Sequence, residues 1–328
     1  MLCTKRCVAM VSAPLVFRLL TVVQTVRFGL MPCLCGVRKI PDKSSVMNSS
    51  SMLNVPTLRT LPRIYQELLM LSQRHGLFTL ARLHHYFFRK GQIVLLPGGG
   101  RLFIPPDPHY FGFLCGIHEE HVRNIIDQHL HPGDVCLDVG ANIGYFAIMM
   151  ANRVGSTGRV YAFEPVPETY DILSLNAKLA DDSSLNLVTI PADVSSNDGE
   201  LSICRHAHST LHQVSNTSQM SENNSDRVPS TTLVSALKKL KCDTSISLLK
   251  IDVEGHELSV LKGAESLLRS GQIRRMIIEV TPGIDASAIA KILADCKTTV
   301  RCWLNGQWQS TPLDQLPFRT DVLVEFPL

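Results

Sequence analysis

Four carboxylates stand where apolar runs of the chain give out: Asp138, Glu164, Asp193 and Asp252. The runs (VCLDV at 135–139, GRVYAF at 158–163, LNLVTI at 185–190 and ISLLKI at 246–251) read as buried strands. Acids at the carboxyl ends of parallel strands are where open α/β folds hold nucleoside ligands. The first run passes into D-V-G-A-N-I-G, where Gly140 and Gly144 permit a tight bend and an absent Cβ lets a ligand approach the backbone. The amides of the following helix point at whatever fills that turn. Glu164 lies 26 residues after Asp138, one strand-helix-strand unit, and a carboxylate there can accept both ribose hydroxyl hydrogens. Asp193, after Pro191-Ala192, suits an adenine amino group. The spacing D-x-G-x-x-x-G differs from the dinucleotide fingerprint G-x-G-x-x-G, so the turn reads as the seat of a nucleoside cofactor of another kind.

Together D-V-G-A-N-I-G, F-E-P, L-L-K-I-D-V-E-G-H-E and I-I-E-V resemble the FkbM family of methyltransferases, from Glu119 to Glu325. The resemblance implies a Rossmann-like sheet, mostly parallel with an antiparallel C-terminal hairpin and helices on both faces. It also implies S-adenosylmethionine as methyl donor and an acceptor hydroxyl on a small molecule or glycan. Asp138, Gly140, Asn142 and Gly144 would then surround the methionine part of the donor, Glu164 the ribose and Asp193 the adenine. Glu119, in G-I-H-E, matches a family acid near the amino-acid end of the cofactor, with Glu120 one residue away as the alternative. Asp252 matches the family position beside the transferable methyl.

An alcohol acceptor must lose its proton, which makes a nearby base useful. His256 is the candidate base, since its ordinary pKa lies nearest neutrality. Asp252 and Glu254 share one face if the strand continues through them. Glu257 either holds the acceptor hydroxyl or caps its own helix, Lys250 reads as a salt-bridged strand residue, and Glu279 could line the pocket. A nicotinamide-dependent oxidoreductase is the rival enzyme class, disfavoured by the glycine spacing. A non-catalytic S-adenosylmethionine-binding module is the rival outside catalysis.

These residues need a scaffold that alternates strand and helix, and the chain supplies one from Asp134 onward. Helices are expected at 145–154, 167–179, 231–240, 257–269 and 285–296. Asn305-Gly306 between apolar flanks signals a hairpin, and TDVLVEF closes as a last strand. Residues 1–57 read as an N-terminal extension and linker, 58–118 as a helical and hairpin part packed on the core, and 119–328 as the methyltransferase domain. Within it, 195–230 is an insertion: DGELSIC as one extra strand, then a polar connection placed as a lid or surface loop. The hairpin GQIVLLPGGGRLFIPP forms, by the family resemblance, part of the wall beside the cofactor pocket.

The 328 residues carry a net charge of +3, but residues 1–50 hold seven Lys/Arg against Asp42, so the other 278 sum to −3. The body is not basic, and a nucleic-acid partner is not expected. Residues 1–30 are basic and partly apolar; membrane contact through them is the less favoured reading, and a cytoplasmic location is expected. None of the ten cysteines forms a C-x-x-C pair. His206, His208 and His212 lack carboxylates nearby in sequence, so no metal site is assigned.

Overall fold

The computed structural model describes residues 91–110, 112–113, 118–180, 185–204, 213–214 and 225–327. The expected linker and helices before residue 91, and the His206, His208 and His212 group, lie outside them.

The described chain opens with the hairpin β1 (Gln92–Leu95) and β2 (Arg101–Ile104), followed by helix α1 (Glu120–His129). The alternation then runs β3 (Val135–Val139), α2 (Tyr145–Val154), β4 (Arg159–Phe163), α3 (Pro167–Ala180) and β5 (Leu187–Ile190). A second, small sheet follows: β6 (Asp193–Val194), β7 (Gly199–Cys204), β8 (Gln213–Val214) and β9 (Ser225–Thr231), in the order β6-β9-β7-β8. The chain returns through α4 (Leu233–Lys239), β10 (Leu248–Ile251), α5 (Glu257–Gly263), α6 (Glu265–Arg269), β11 (Arg275–Val280) and α7 (Ile284–Asp295). It finishes with β12 (Thr299–Leu304), β13 (Gln307–Gln309) and β14 (Thr320–Glu325).

The main sheet has eight strands in the order β13-β12-β14-β11-β10-β3-β4-β5. β5, β4, β3, β10 and β11 are parallel, and β14, β12 and β13 add an antiparallel edge. Successive side chains of a strand face opposite sides, which divides the core in two. Cys136, Ala162, Leu248, Ile277 and Leu323 pack against residues of α1, α2, α3 and the first hairpin. Leu137, Phe163, Leu249, Ile278 and Val322 pack against residues of α4, α5, α6 and α7.

Two differences from expectation have physical reasons. The stretch expected as one helix over 257–269 divides at Gly263 and Ala264. The polar connection before residue 230 ends in β9, which pairs with β7 over Ser225–Ser230 and with β6 at Ser230 and Thr231; pairing on both sides overrides a composition poor in strand formers. Among the described residues no helix is long and apolar enough to cross a membrane.

Candidate active site

The carboxyl edge of the parallel strands gathers the charged residues. Asp138 on β3 lies directly opposite Lys250 on β10. Lys250 is buried among apolar neighbours, with its ammonium 2.9 Å from an Asp252 carboxylate oxygen and 5.0 Å from the centre of the Phe146 ring. Its pKa is raised: burial lowers it, but Asp252, Asp138 and Glu119 together outweigh that effect. Asp252 moves the other way despite its own burial, held ionised by Lys250.

The strand does not continue through Asp252. The amide of Asp252 donates to the Val139 carbonyl (3.0 Å), and Glu254 then takes a left-handed conformation (φ 53°). Asp252 and Glu254 therefore do not share a strand face as the sequence suggested. Glu254 pairs with Arg319 at 2.8 Å, and the same guanidinium bonds Glu279 at the end of β11.

The glycine turn is shaped by the protein itself. Gly140 has φ 80°, and a Cβ there would come 1.9 Å from the Asp252 carbonyl oxygen; at Gly144 (φ 92°) it would meet Leu173 at 2.7 Å. The space expected for a ligand at these two Cβ positions is thus filled by β10's continuation and by α3. Asn142 adopts φ 51°, a conformation asparagine tolerates better than most residues. Its side-chain oxygen accepts from Tyr110 Oη (3.1 Å) and from the Ile143 amide (2.8 Å). Its own amide donates to Glu164 Oε2 at 3.0 Å, while Glu164 Oε1 accepts from the Val166 amide at 3.0 Å. Each oxygen of Glu164 keeps a lone pair for a further donor. Burial pushes this carboxyl up to about 7, against those two amides.

Asp138 is 1% exposed, and both its oxygens are buried without a well-formed hydrogen bond; the Ala147 amide in the first turn of α2 gives only a weak pull. Burial raises it to about 6, against Lys250. Glu119 caps α1 with φ 40°. Its Oε2 is buried without a partner, and its Oε1 lies 3.2 Å from His118 Nε2. Burial pushes Glu119 up to about 8, with Asp321, Asp252 and Glu279 adding to the rise and Lys250 opposing it. Glu120 is exposed and pairs with Arg123 at 2.9 Å, so Glu119 is the inward acid of the pair.

His256 falls elsewhere. Its Nε2 shares a 2.8 Å hydrogen bond with Ser195 Oγ and lies 3.9 Å from Asp193, which also accepts from Ser230 Oγ at 3.2 Å. Burial lowers its pKa, against Asp193. The structure thus joins His256 to Asp193 and not to Asp252. Glu257 is the first residue of α5, and its Oε1 accepts from the Gly255 amide, just ahead of the helix, at 2.9 Å.

Residues 138–298 match the methyltransferase FkbM domain. The chain is 30% identical over 189 residues to hexuronic acid methyltransferase AglP of Haloferax volcanii, covering 55% of this chain and 69% of AglP. The family is settled by that match. This chain belongs to the FkbM methyltransferases. It is also 30% identical over 176 residues to methyltransferase sdnD of Sordaria araneosa, covering 45% of this chain and 66% of sdnD. The FkbM methyltransferase structure from Methylobacillus flagellatus shares 16% identity and a TM-score of 0.39, over 59% of this chain and 43% of that one.

Membership of the FkbM methyltransferases sets aside the nicotinamide reading and makes S-adenosylmethionine the methyl donor. The residues present fit that group. A ligand bearing an ammonium, a sulfonium and a ribose diol would meet unpaired buried oxygens on Asp138 and Glu119 and the spare lone pairs of Glu164. Among the described residues no group of three or more His, Cys, Asp or Glu is arranged to hold a metal. The sequence reading passed over Arg319, Asp321, His118 and His121. Asp321 lies opposite Glu279 in the β11–β14 register, and its carboxylate is 2.6 Å from His121 Nε2. Nothing in T-D-V-L-V-E-F says which strand it will pair with, so those contacts had no sequence signal.

Proposed function

We propose that this FkbM-family enzyme transfers the methyl group of S-adenosylmethionine to a hydroxyl of a small molecule or glycan. The observation that carries the reading is Asp138: a carboxylate at the end of the first parallel strand, buried with two unpartnered oxygens. Such an arrangement costs several kcal/mol, on the order of 1–3 per group, unless a ligand donor completes it. Asp138 and Glu119 receive the amino-acid end of the donor, Glu164 its ribose and Asp193 its adenine. Asn142 holds the turn by its hydrogen bonds, and Gly140 and Gly144 supply its backbone conformation.

Bound there, the donor supplies an electrophilic methyl on a cationic sulfur. The protein must align acceptor and donor and exclude water. Asp252, fixed by Lys250, orients the acceptor side. His256, bonded to Ser195 and 3.9 Å from Asp193, steadies the segment that carries both, and Glu257 fixes the start of α5. An oxygen acceptor on a sugar is favoured by the relative that acts on a hexuronic acid. Cys136, Cys242, Cys296 and Cys302 are buried free thiols, which suits a reducing compartment and supports a cytoplasmic enzyme.

Calorimetry of the full chain with S-adenosylmethionine, S-adenosylhomocysteine and NAD tests the cofactor. The first two should bind and NAD should not; binding of NAD alone would sink the reading. Glu164→Ala should weaken the donor at least tenfold, and Asp252→Ala should retain donor binding while losing methyl transfer in a screen of uronic-acid glycans, neutral sugars and polyketide alcohols with a radiolabelled methyl donor.

A further inference from the structure

We propose that Glu119 is the catalytic proton acceptor of the methyl transfer, giving up its own proton when the cationic donor binds and taking the proton of the acceptor hydroxyl as the methyl leaves. The inference rests on the methyl-transfer reading and replaces its assignment of Glu119 to the donor's amino-acid end, which Asp138 then holds without it.

Three features of the site converge on this residue. The first is its placement. Glu119 is held in a left-handed backbone conformation at the head of α1, which costs a non-glycine residue about 1–3 kcal/mol and persists only where the surroundings enforce it. The second is its free oxygen: Oε2 is buried without a hydrogen bond, while Oε1 is anchored toward His118. His118 is in turn fixed between Phe113, Tyr145 and Phe146, with ring centroids 4.0, 5.7 and 5.8 Å away. The third is charge. The groups facing Glu119 are Lys250 and Asp252 from β10 and its extension, Glu279 from β11, Asp321 from β14, Tyr145 from α2 and its neighbour His118. Lys250 is committed to Asp252, and Arg319 to Glu254 and Glu279. A carboxyl in such company holds its proton near neutrality and yields it when a positive charge arrives.

The other candidates serve less well. His256 is engaged with Ser195 and Asp193, and Asp252 is kept ionised by Lys250, which makes it a weak base. The chemistry matches what Glu119 offers. The acceptor O–H gives its proton to Glu119 Oε2, the oxygen's electron pair forms the new C–O bond, and the C–S bond breaks with its pair going to sulfur. The sulfonium charge disappears as the carboxylate is neutralised, so the charge of the enclosed site stays constant through the step.

The test needs no acceptor. Titrations of the full chain with S-adenosylmethionine and with S-adenosylhomocysteine near pH 7, in phosphate and in Tris, report the protons exchanged on binding, because the two buffers differ in ionisation enthalpy. The ligands share the same amino-acid and nucleoside parts, so their difference isolates the sulfonium charge. We expect S-adenosylmethionine to release more protons than S-adenosylhomocysteine, by about half to one per site. Glu119→Gln should bind both ligands and lose the difference. Equal release by the wild-type chain overturns the proposal alone, as does a difference that survives in Glu119→Gln. Failure of both ligands to bind overturns the methyl-transfer reading and the proposal with it. Equal release by the wild-type chain overturns the proposal even if Glu119→Gln does not fold.

Discussion

Lys250 shares its strand with Leu248, Leu249 and Ile251 and is itself 3% exposed. An isolated ammonium could not stay charged there; this one does, because Asp252 bonds it and Asp138 and Glu119 lie near. Removing one partner of a buried pair leaves the other uncompensated, at a cost of about 3–5 kcal/mol. Lys250→Met should therefore lose roughly that much stability at pH 8, read by urea unfolding. At pH 5 the loss should shrink. Asp252, no longer held down by Lys250, would take up a proton there and shed its unpaired charge. A loss that does not depend on pH would mean that Lys250 acts by packing on Phe146 and not by charge.

At the scale of elements, α5 is locked to the loop after β6 by a single glycine. A Cβ on Gly263 would lie 2.0 Å from the Ser195 carbonyl oxygen and 3.2 Å from the Ser196 Cα. Both neighbours are backbone, so one element must move. Gly263→Ala should cost at least about 2 kcal/mol despite the higher helix propensity of alanine. Because Ser195 carries the hydrogen bond to His256 beside Asp193, the same variant should weaken the donor several-fold; unchanged affinity would detach the adenine side from α5. The elements themselves were largely legible. Apolar runs bounded by Pro, Gly and Asn placed the parallel strands, and Asn305-Gly306 placed the β12–β13 turn. α1 was missed, because E-H-V-R-N-I-I-D-Q-H buries only Val122, Ile125 and Ile126 on a polar background. In the site, sequence named the acids at the strand ends, since strand order and ligand position are linked in this fold. It could not assign their partners: Lys250 was expected to be salt-bridged, but Asp252 was not named as its partner, whereas Arg319, His118 and the Asp321–His121 pair come from register and from the turn before α1, and His256 lies beside Asp193 at the start of α5.

For the molecule as a whole, the carboxyl edge of the sheet stores charge that favours the proton-bound form. Burial raises Glu119 to about 8, Asp138 to about 6, Glu164 to about 7 and Glu279 to about 7. Each folded-state value lies above that of the unfolded chain, so these four groups hold more protons in the native protein than in the unfolded one between roughly pH 4 and 8. Their contribution to stability falls as pH rises through that window, while the rings of His118, lowered by burial to about 4, and of His129 and His256, also lowered by burial, oppose it below about pH 6.5. Asp252 is shifted in the opposite sense by Lys250, and Asp198 is lowered to about 2 by its bonds to Ser235, Thr232 and Thr231; these carboxyls favour the ionised form and set the acid limit. Without ligand, the melting temperature should therefore be highest near pH 5–6 and decline toward pH 8. On the proposed assignment of these acids to the donor, a cationic ligand reverses the penalty, because binding that releases protons tightens as pH rises. Each tenfold gain in affinity adds about 1.4 kcal/mol at a fixed excess of ligand, or about 2–4 °C for a domain of this size. The rise in melting temperature caused by S-adenosylmethionine should thus be several degrees larger at pH 8 than at pH 6, measured by differential scanning calorimetry, and smaller in Glu119→Gln. A rise that is the same at both pH values would show that the raised carboxyls do not face the donor.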